Sequence, residues 1–143
     1  MLLPVSNEYT FHLSVKGEST GLKYEGTFKV KCLLTTSEKV DIGLRLDSYN
    51  RGSKTVSQGV AVLNATLAEL DVRIMESPSF WKDSDYGREL LDTNVIYEVF
   101  KKSNEAEEDF KERIRSIAEK SEKESEESAK SSAKKKEAKE ARG

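Results

Sequence analysis

The stretch that decides the fold reads YTFHLSVK over residues 9–16 and, after a turn, KYEGTFKVKC over residues 23–32. In both segments apolar and polar residues alternate, and this period of two places the apolar side chains on one face of a β-strand. The intervening GESTG, residues 17–21, is rich in turn-forming residues. We therefore predict an antiparallel β-hairpin over residues 8–32. Since a lone hairpin is marginal in water, its apolar face must pack on helices of the same chain or on another subunit.

A first helix is predicted over about residues 36–49. Thr35, Thr36, Ser37 and Glu38 fit a capping box, in which the threonine hydroxyl and the glutamate side chain satisfy opposite backbone donors. We expect Val40 and Leu44 to face inward, together with residues of the set Ile42, Leu46 and Tyr49.

Two further helical regions follow. Apolar residues from Val56 to Ile74 recur at alternating spacings of four and three, which predicts a helix over about residues 54–76 with a heptad-like seam. Pro78 ends this pattern. A third region, about residues 88–118, is either one kinked helix or two helices.

Charge is concentrated at the C-terminal end of the chain. The 143 residues include 24 Lys and Arg against 26 Asp and Glu, and 35% of all residues are charged. Residues 119–143 contain no large apolar side chain, so this tail is predicted to be disordered or, at most, a solvated single helix. Residues 1–118 are left as a single globular domain of the α+β class, mainly α.

Composition argues against several classes of protein. No run of 18 apolar residues occurs, and the start lacks a basic segment followed by a long apolar one, so we expect a cytoplasmic protein with neither membrane span nor secretory signal. The single Cys32 and the single His12 cannot build a His/Cys zinc site within one chain. A net charge of −2 argues against strong nucleic-acid binding.

The sequence predicts no catalytic residue, no metal ligand and no cofactor. The short motifs of P-loop, dinucleotide-binding, serine hydrolase, zinc protease and EF-hand proteins do not occur. His12 falls on the polar side of a strand, where a solvated side chain is expected, and Cys32 falls on the apolar side, as core cysteines do. No pair of carboxylates is embedded in apolar sequence, the setting that prepares acid–base chemistry. We therefore expect that the protein is not an enzyme.

Two apolar features are candidates for binding a partner. The seam of the second helix either packs within the chain or provides a surface for self-association or for another protein. The aromatic segment after Pro78 either folds back onto the core or anchors a partner. The candidate partner-binding residues are Leu63, Leu67, Leu70, Ile74, Phe80 and Trp81.

The layout resembles that of the tail-assembly chaperones of long-tailed bacteriophages. The shared features are the N-terminal hairpin, the helix start at Thr35–Glu38, the apolar helix that leads into an aromatic loop over Leu63–Trp81, the segment DTNVIYEVF at residues 92–100, and the charged C-terminal extension. The resemblance implies a small protein without enzymatic activity that keeps the tape-measure protein soluble and helps to recruit tail-tube subunits in the host cytoplasm. It supplies no residue-level assignment.

Two other functions stay open at this point. One is a permanent virion component, such as a head, neck or decoration protein, and possible self-association through the seam fits either role. The other is a regulatory module whose lysine-bearing hairpin face or tail contacts nucleic acid, which the near-neutral charge and the lack of interleaved aromatic residues make the weaker alternative.

Overall fold

The protein is described by a computed structural model over residues 6–51 and 55–141, with side chains of residue 128 and of residues 130–141 left undescribed. Strand β1 (Glu8–Lys16) pairs antiparallel with strand β2 (Lys23–Lys31) in a regular register that opposes Phe11 to Phe28. The predicted hairpin is thus present. Its turn closes where the Gly17 amide donates to the Leu22 carbonyl at 2.8 Å.

The sheet has a third strand that the sequence pattern concealed. β3 (Ile74–Glu76) pairs antiparallel with β2, so the strand order is β1-β2-β3 and β2 is central. Residues 74–76 were expected to be the last turn of the second helix, and this expectation is wrong. The open backbone edge of β2 offers these residues ladder hydrogen bonds, and Ile74 still packs against the core in the extended conformation.

The described residues form four helices in addition to the sheet. They are α1 (Thr36–Tyr49), α2 (Gln58–Arg73), the short α3 (Ser79–Asp83) and α4 (Thr93–Ala141). The capping box predicted for α1 is present, with the Thr35 hydroxyl and the Glu38 carboxylate each bonding the other residue's amide. Helix α2 begins after Ser57, whose hydroxyl accepts from the Val60 amide. The predicted start at residue 54 lies outside the described residues, as do residues 1–5 at the chain start, whereas residues 55–57, also predicted to be helical, precede the helix.

The third helical region is a single helix that begins later and ends later than predicted. Helix α4 starts at Thr93, because residues 84–92 form turns that carry two left-handed residues, Asp85 and Tyr86. It passes Ser103 without a break, and the Ser103 hydroxyl donates to the carbonyl of Val99 one turn earlier. The backbone stays helical to Ala141, which is the solvated-helix alternative for the tail. The side chains described from Arg115 onward are all exposed.

The core lies between the sheet and the helices. The inner sheet face contributes Phe11, Leu13, Phe28, Val30 and Cys32, and Phe28 touches the ring of Trp81 edge-on, with 5.6 Å between centroids. Helices α2 and α4 each pack one apolar stripe against these residues. The buried members of the two stripes are Leu67, Leu70, Val95, Ile96, Val99, Ala106 and Phe110. The overall class is therefore α+β and mainly α, as predicted.

Candidate functional site

The six side chains predicted to bind a partner lie in the core or against it. Leu67, Leu70 and Trp81 are buried, with at most 7% of their surface exposed. Leu63, Ile74 and Phe80 are half-buried and pack against the same core. From Leu63 to Ile74 the seam therefore packs within the chain, as do Phe80 and Trp81, and an accessible surface must be sought among other residues.

Helix α1 carries the apolar surface that the core does not use. No residue of α1 is buried, and Val40 and Leu44 are 59% and 65% exposed. The expectation that these two face inward is wrong. Ile42, Leu46 and Tyr49, which lie on the opposite side of the helix at 100° per residue, are the half-buried ones. Both faces of α1 are apolar, and only one of them is covered.

A glycine lies beside the two exposed side chains. A Cβ built on Gly43 meets no atom within 4 Å, so nothing within the described chain requires glycine there. A glycine inside a helix costs about 0.5–1 kcal/mol relative to alanine. Val40, Gly43 and Leu44 form an exposed apolar strip one helical turn long, which we call the α1 stripe.

The start of α2 adds further exposed apolar surface. Val60 and Val62, in the first two turns of α2, are each 49% exposed. Asn50 at the end of α1 accepts from Asn64 of α2 at 2.7 Å, which fixes this end of the helix pair. The exposed valines and the α1 stripe therefore belong to one helical hairpin.

A polar cluster fastens α1 to the rest of the fold. The Arg88 guanidinium donates to Asp71 at 2.6 Å, lies 4.5 Å from the centroid of the Tyr49 ring and donates to the Tyr49 hydroxyl. Tyr49 in turn donates to Asp71. Burial, together with the hydrogen bond to Asp71, raises the pKa of Tyr49, so the phenol keeps its proton and acts as a donor. This cluster orients α1 and leaves no free base.

A cleft of about 290 Å³ adjoins the polar cluster. Met75, Trp81 and Tyr86 contribute apolar surface to its wall, and Arg45 and Asp71 contribute charged groups. The carboxylate of Asp71 is held by Arg88 at 2.6 Å and lies 3.8 Å from Arg45. Tyr49 and Arg88 both donate to the carboxylate of Asp71, so its oxygens are already engaged and it is not a free base.

A clamp joins the hairpin turn to the start of α4. The Asp92 carboxylate is inaccessible and accepts from the amides of Ser19 and Thr20 at 2.8 and 2.9 Å and from the hydroxyls of Thr20 and Tyr24 at 2.5 and 2.7 Å. These hydrogen bonds lower the pKa of Asp92 to about 2, and the bond from the Thr20 hydroxyl has the largest effect. A Cβ on Gly17 would lie 2.1 Å from this carboxylate, so only glycine fits. Asp92 directly precedes α4, and the partners of its carboxylate lie more than 60 residues earlier in the chain.

A buried arginine ties the end of β2 to both long helices. Arg73 is 2% exposed, and its guanidinium donates to the carbonyls of Lys31 and Cys32 at 3.1 and 2.7 Å. It also donates to Glu107 of α4 at 3.4 Å, while its Nε lies 3.6 Å from Glu69 without a hydrogen bond. Burial raises the pKa of Glu69 despite the nearby guanidinium. This cluster is structural, because the guanidinium is enclosed by its own fold.

The lysines on the outer sheet face are mostly engaged by carboxylates. Lys29 lies 3.1 Å from Glu8, Lys31 bonds Glu38, and Lys23 lies 3.7 Å from Glu25. Phosphate binding draws on cations that can release counterions. The pairing therefore weakens the nucleic-acid alternative for this face.

Among the residues that the structure describes, no three His, Cys, Asp or Glu side chains are grouped so that they could hold a metal ion. Burial raises the pKa of the Cys32 thiol, which makes it a core side chain of low reactivity. No described helix is both long enough and apolar enough to cross a bilayer.

Comparison with known proteins adds no further assignment. The chain matches no family model, no curated protein and no solved structure. The functional reading therefore depends on the surfaces of the molecule itself.

Proposed function

We propose that this protein is a non-enzymatic assembly protein of a long-tailed bacteriophage, a tail-assembly chaperone that binds the tape-measure protein and tail-tube subunits. The observation that carries the proposal is the α1 stripe, whose Val40 and Leu44 are more than half exposed on a helix with no buried residue. The layout of the sequence, from the hairpin to the charged extension, supports the same role.

The stripe has the chemistry that such a role needs. A tape-measure protein is a long helical chain that exposes apolar stripes until the tail forms around it. Residues spaced by four on one helix face are the usual anchors of a helix that docks against another helix. Gly43 beside them allows the partner's backbone to approach closely, as small residues do at tight helix crossings.

Co-expression with fragments of a tape-measure protein tests the proposal. The double variant Val40→Glu/Leu44→Glu should lose the complex and leave the fragments insoluble, while the wild-type chain keeps them in solution. Leu91→Glu is the matched control, since Leu91 is also an exposed leucine, 74% accessible, that lies outside α1. Equal recovery of fragments with both variants, or none with wild type, contradicts the proposal.

Mass spectrometry of purified particles distinguishes a chaperone from a permanent virion component. A chaperone is expected to be absent or scarce in the finished particle. A stoichiometric amount in the virion would assign the protein to the head, neck or tail structure instead.

A further inference from the structure

The backbone groups of β1 alternate between β2 and an open edge. Next to the two ends of the ladder, the Cys32 amide donates to the Asn7 carbonyl and the Gly17 amide donates to the Leu22 carbonyl. Both pairs continue the register of β1 with β2, so both are hydrogen-bonded pairs of the antiparallel ladder. Since such pairs occur at every second residue, the even-numbered residues of β1 direct N–H and C=O away from β2. They are Glu8, Thr10, His12, Ser14 and Lys16.

This edge is long, and no strand of the described residues covers it. β1 is an outer strand of nine residues, and no strand among the described residues pairs with its free side. A groove of about 450 Å³ runs between the edge at residues 9–12 and helix α4 at residues 102–109. Protected edge strands carry a proline, a bulge or a charge in mid-strand. β1 has no proline, pairs regularly with β2 and has charges only at its ends, Glu8 and Lys16, so it is open to a further strand.

The order of residues in β1 identifies the partner. We propose that β1 pairs antiparallel with β1 of a second copy of this chain about a two-fold axis at His12. This register opposes Glu8 to Lys16 at both ends, and opposite charges facing each other across strands are favourable. It also matches polar with polar and apolar with apolar residues in between: Thr10 with Ser14, Phe11 with Leu13, and Tyr9 with Val15.

Other registers are poorer. A shift of one residue would turn the apolar face of one strand toward the polar face of the other. A shift of two residues keeps the faces but leaves Glu8 and Lys16 without each other. The register about His12 alone uses all the outward backbone groups and both end charges. It is isologous, so it closes as a dimer.

The dimer has a defined architecture. A two-fold axis perpendicular to the sheet joins two three-stranded sheets into one of six strands, with both α4 helices on the same face. The facing groove walls carry Lys102 as well as Glu105 and Asp109, so each wall meets charges of both signs. The half-exposed Tyr9, 41% accessible, gains a neighbour in Val15 of the second copy.

Disulfide cross-linking tests the axis directly. In the dimer, two cysteines at position 12 would have Cα atoms about 5.5 Å apart, within the range for a disulfide. Cysteines at position 14 would lie about 13 Å apart along the strands, out of reach. Under mild oxidation His12→Cys should form a covalent dimer and Ser14→Cys should stay monomeric, since the native Cys32 is fully buried in both. A monomeric His12→Cys, or equal cross-linking of both variants, overturns the proposal.

Charge exchange tests the register without new cysteines. Glu8→Lys and Lys16→Glu each place like charges at both ends of a homodimer, and each should weaken association by about tenfold in sedimentation equilibrium. An equimolar mixture of the two variants restores attraction at both ends and should associate as wild type does. The mixture also controls for the Glu8–Lys29 contact that Glu8→Lys removes. A monomeric wild-type chain, or a mixture no tighter than either variant, contradicts β1 self-pairing and leaves the edge to an extended segment of another protein.

Discussion

Replacing Arg73 by methionine should be among the most damaging single changes in this protein. The substitution keeps an unbranched apolar stem in the core but removes the guanidinium, which is 2% exposed and bonds two carbonyls at the end of β2. It also leaves Glu69 and Glu107 facing each other's negative charge without a cation between them.

The size of the effect follows from what is left behind. Removing one partner of a buried ion pair costs about 3–5 kcal/mol. Glu69 and Glu107 keep 27% and 22% of their side chains exposed, so water relieves part of their cost. We therefore expect a loss near the lower end, about 3 kcal/mol, from a total stability of about 5–15 kcal/mol. With a urea m-value of about 2 kcal/mol/M, the midpoint falls by about 1.5 M.

The loss of stability caused by Arg73→Met should grow with pH. Burial raises the pKa of Glu69 in the folded state. The Glu69 carboxyl therefore contributes to stability at a pH below its pKa in the unfolded chain, and this contribution is lost as the pH rises through its pKa in the folded chain. Without the guanidinium that opposes this shift, the folded pKa of Glu69 rises further. Urea unfolding of wild type and Arg73→Met should therefore differ more at pH 8 than at pH 5.

Arg113→Met is the matched control. Arg113 is 52% exposed and pairs with Asp109 one turn away on α4, so its loss should change stability by no more than about 0.5 kcal/mol. The reasoning about Arg73 is refuted if Arg73→Met costs under about 1 kcal/mol, or if its deficit shrinks as pH rises from 5 to 8.

Three further outcomes are expected. Gly43→Ala should raise the free energy of unfolding by about 0.5–1 kcal/mol, because its Cβ meets nothing in the chain, and should weaken tape-measure binding in the same co-expression assay. Asp92→Asn should lower the melting temperature at pH 7 and flatten the acid limb of the stability curve, since the low pKa of Asp92, about 2, makes wild type lose stability as pH falls from about 4 toward 2. Leu70→Ala should lower the free energy of unfolding in urea by about 2–5 kcal/mol, because Leu70 is buried, whereas Val40→Glu should lower it by under about 0.5 kcal/mol. Equal costs would refute the assignment of Leu70 to the core and of Val40 to the surface.

Structural features that depend on neighbouring residues in the sequence could be predicted, and features that depend on contacts between distant segments could not. The hairpin follows from strict alternation, and the start of α1 follows from Thr35 and Glu38, which bond each other. Ile74 continues a helical spacing, yet β2 offers its backbone a ladder partner and turns residues 74–76 into a strand. The periodicity of the side chains holds no information about that open edge.

The candidate surface was hidden for a related reason. The sequence of α1 shows two apolar groups, one with Val40 and Leu44 and one with Ile42, Leu46 and Tyr49, and either could face the core. The packing of α1 within the fold decides between them, and the second group is the half-buried one. Conversely, the regular seam from Leu63 to Ile74 looked like an interface because regular spacing is common to buried helices and to coiled coils.

The clamp at Asp92 has a consequence for the order of events during synthesis. Its partners at Ser19, Thr20 and Tyr24 leave the ribosome roughly 70 residues before Asp92 does. Until then the amides at the tip of the hairpin have only water to bond, and the nascent N-terminal half stays unlocked and exposed to premature association. Translation speed through the segment that joins α3 to α4 should therefore govern how much newly made protein is trapped in aggregates.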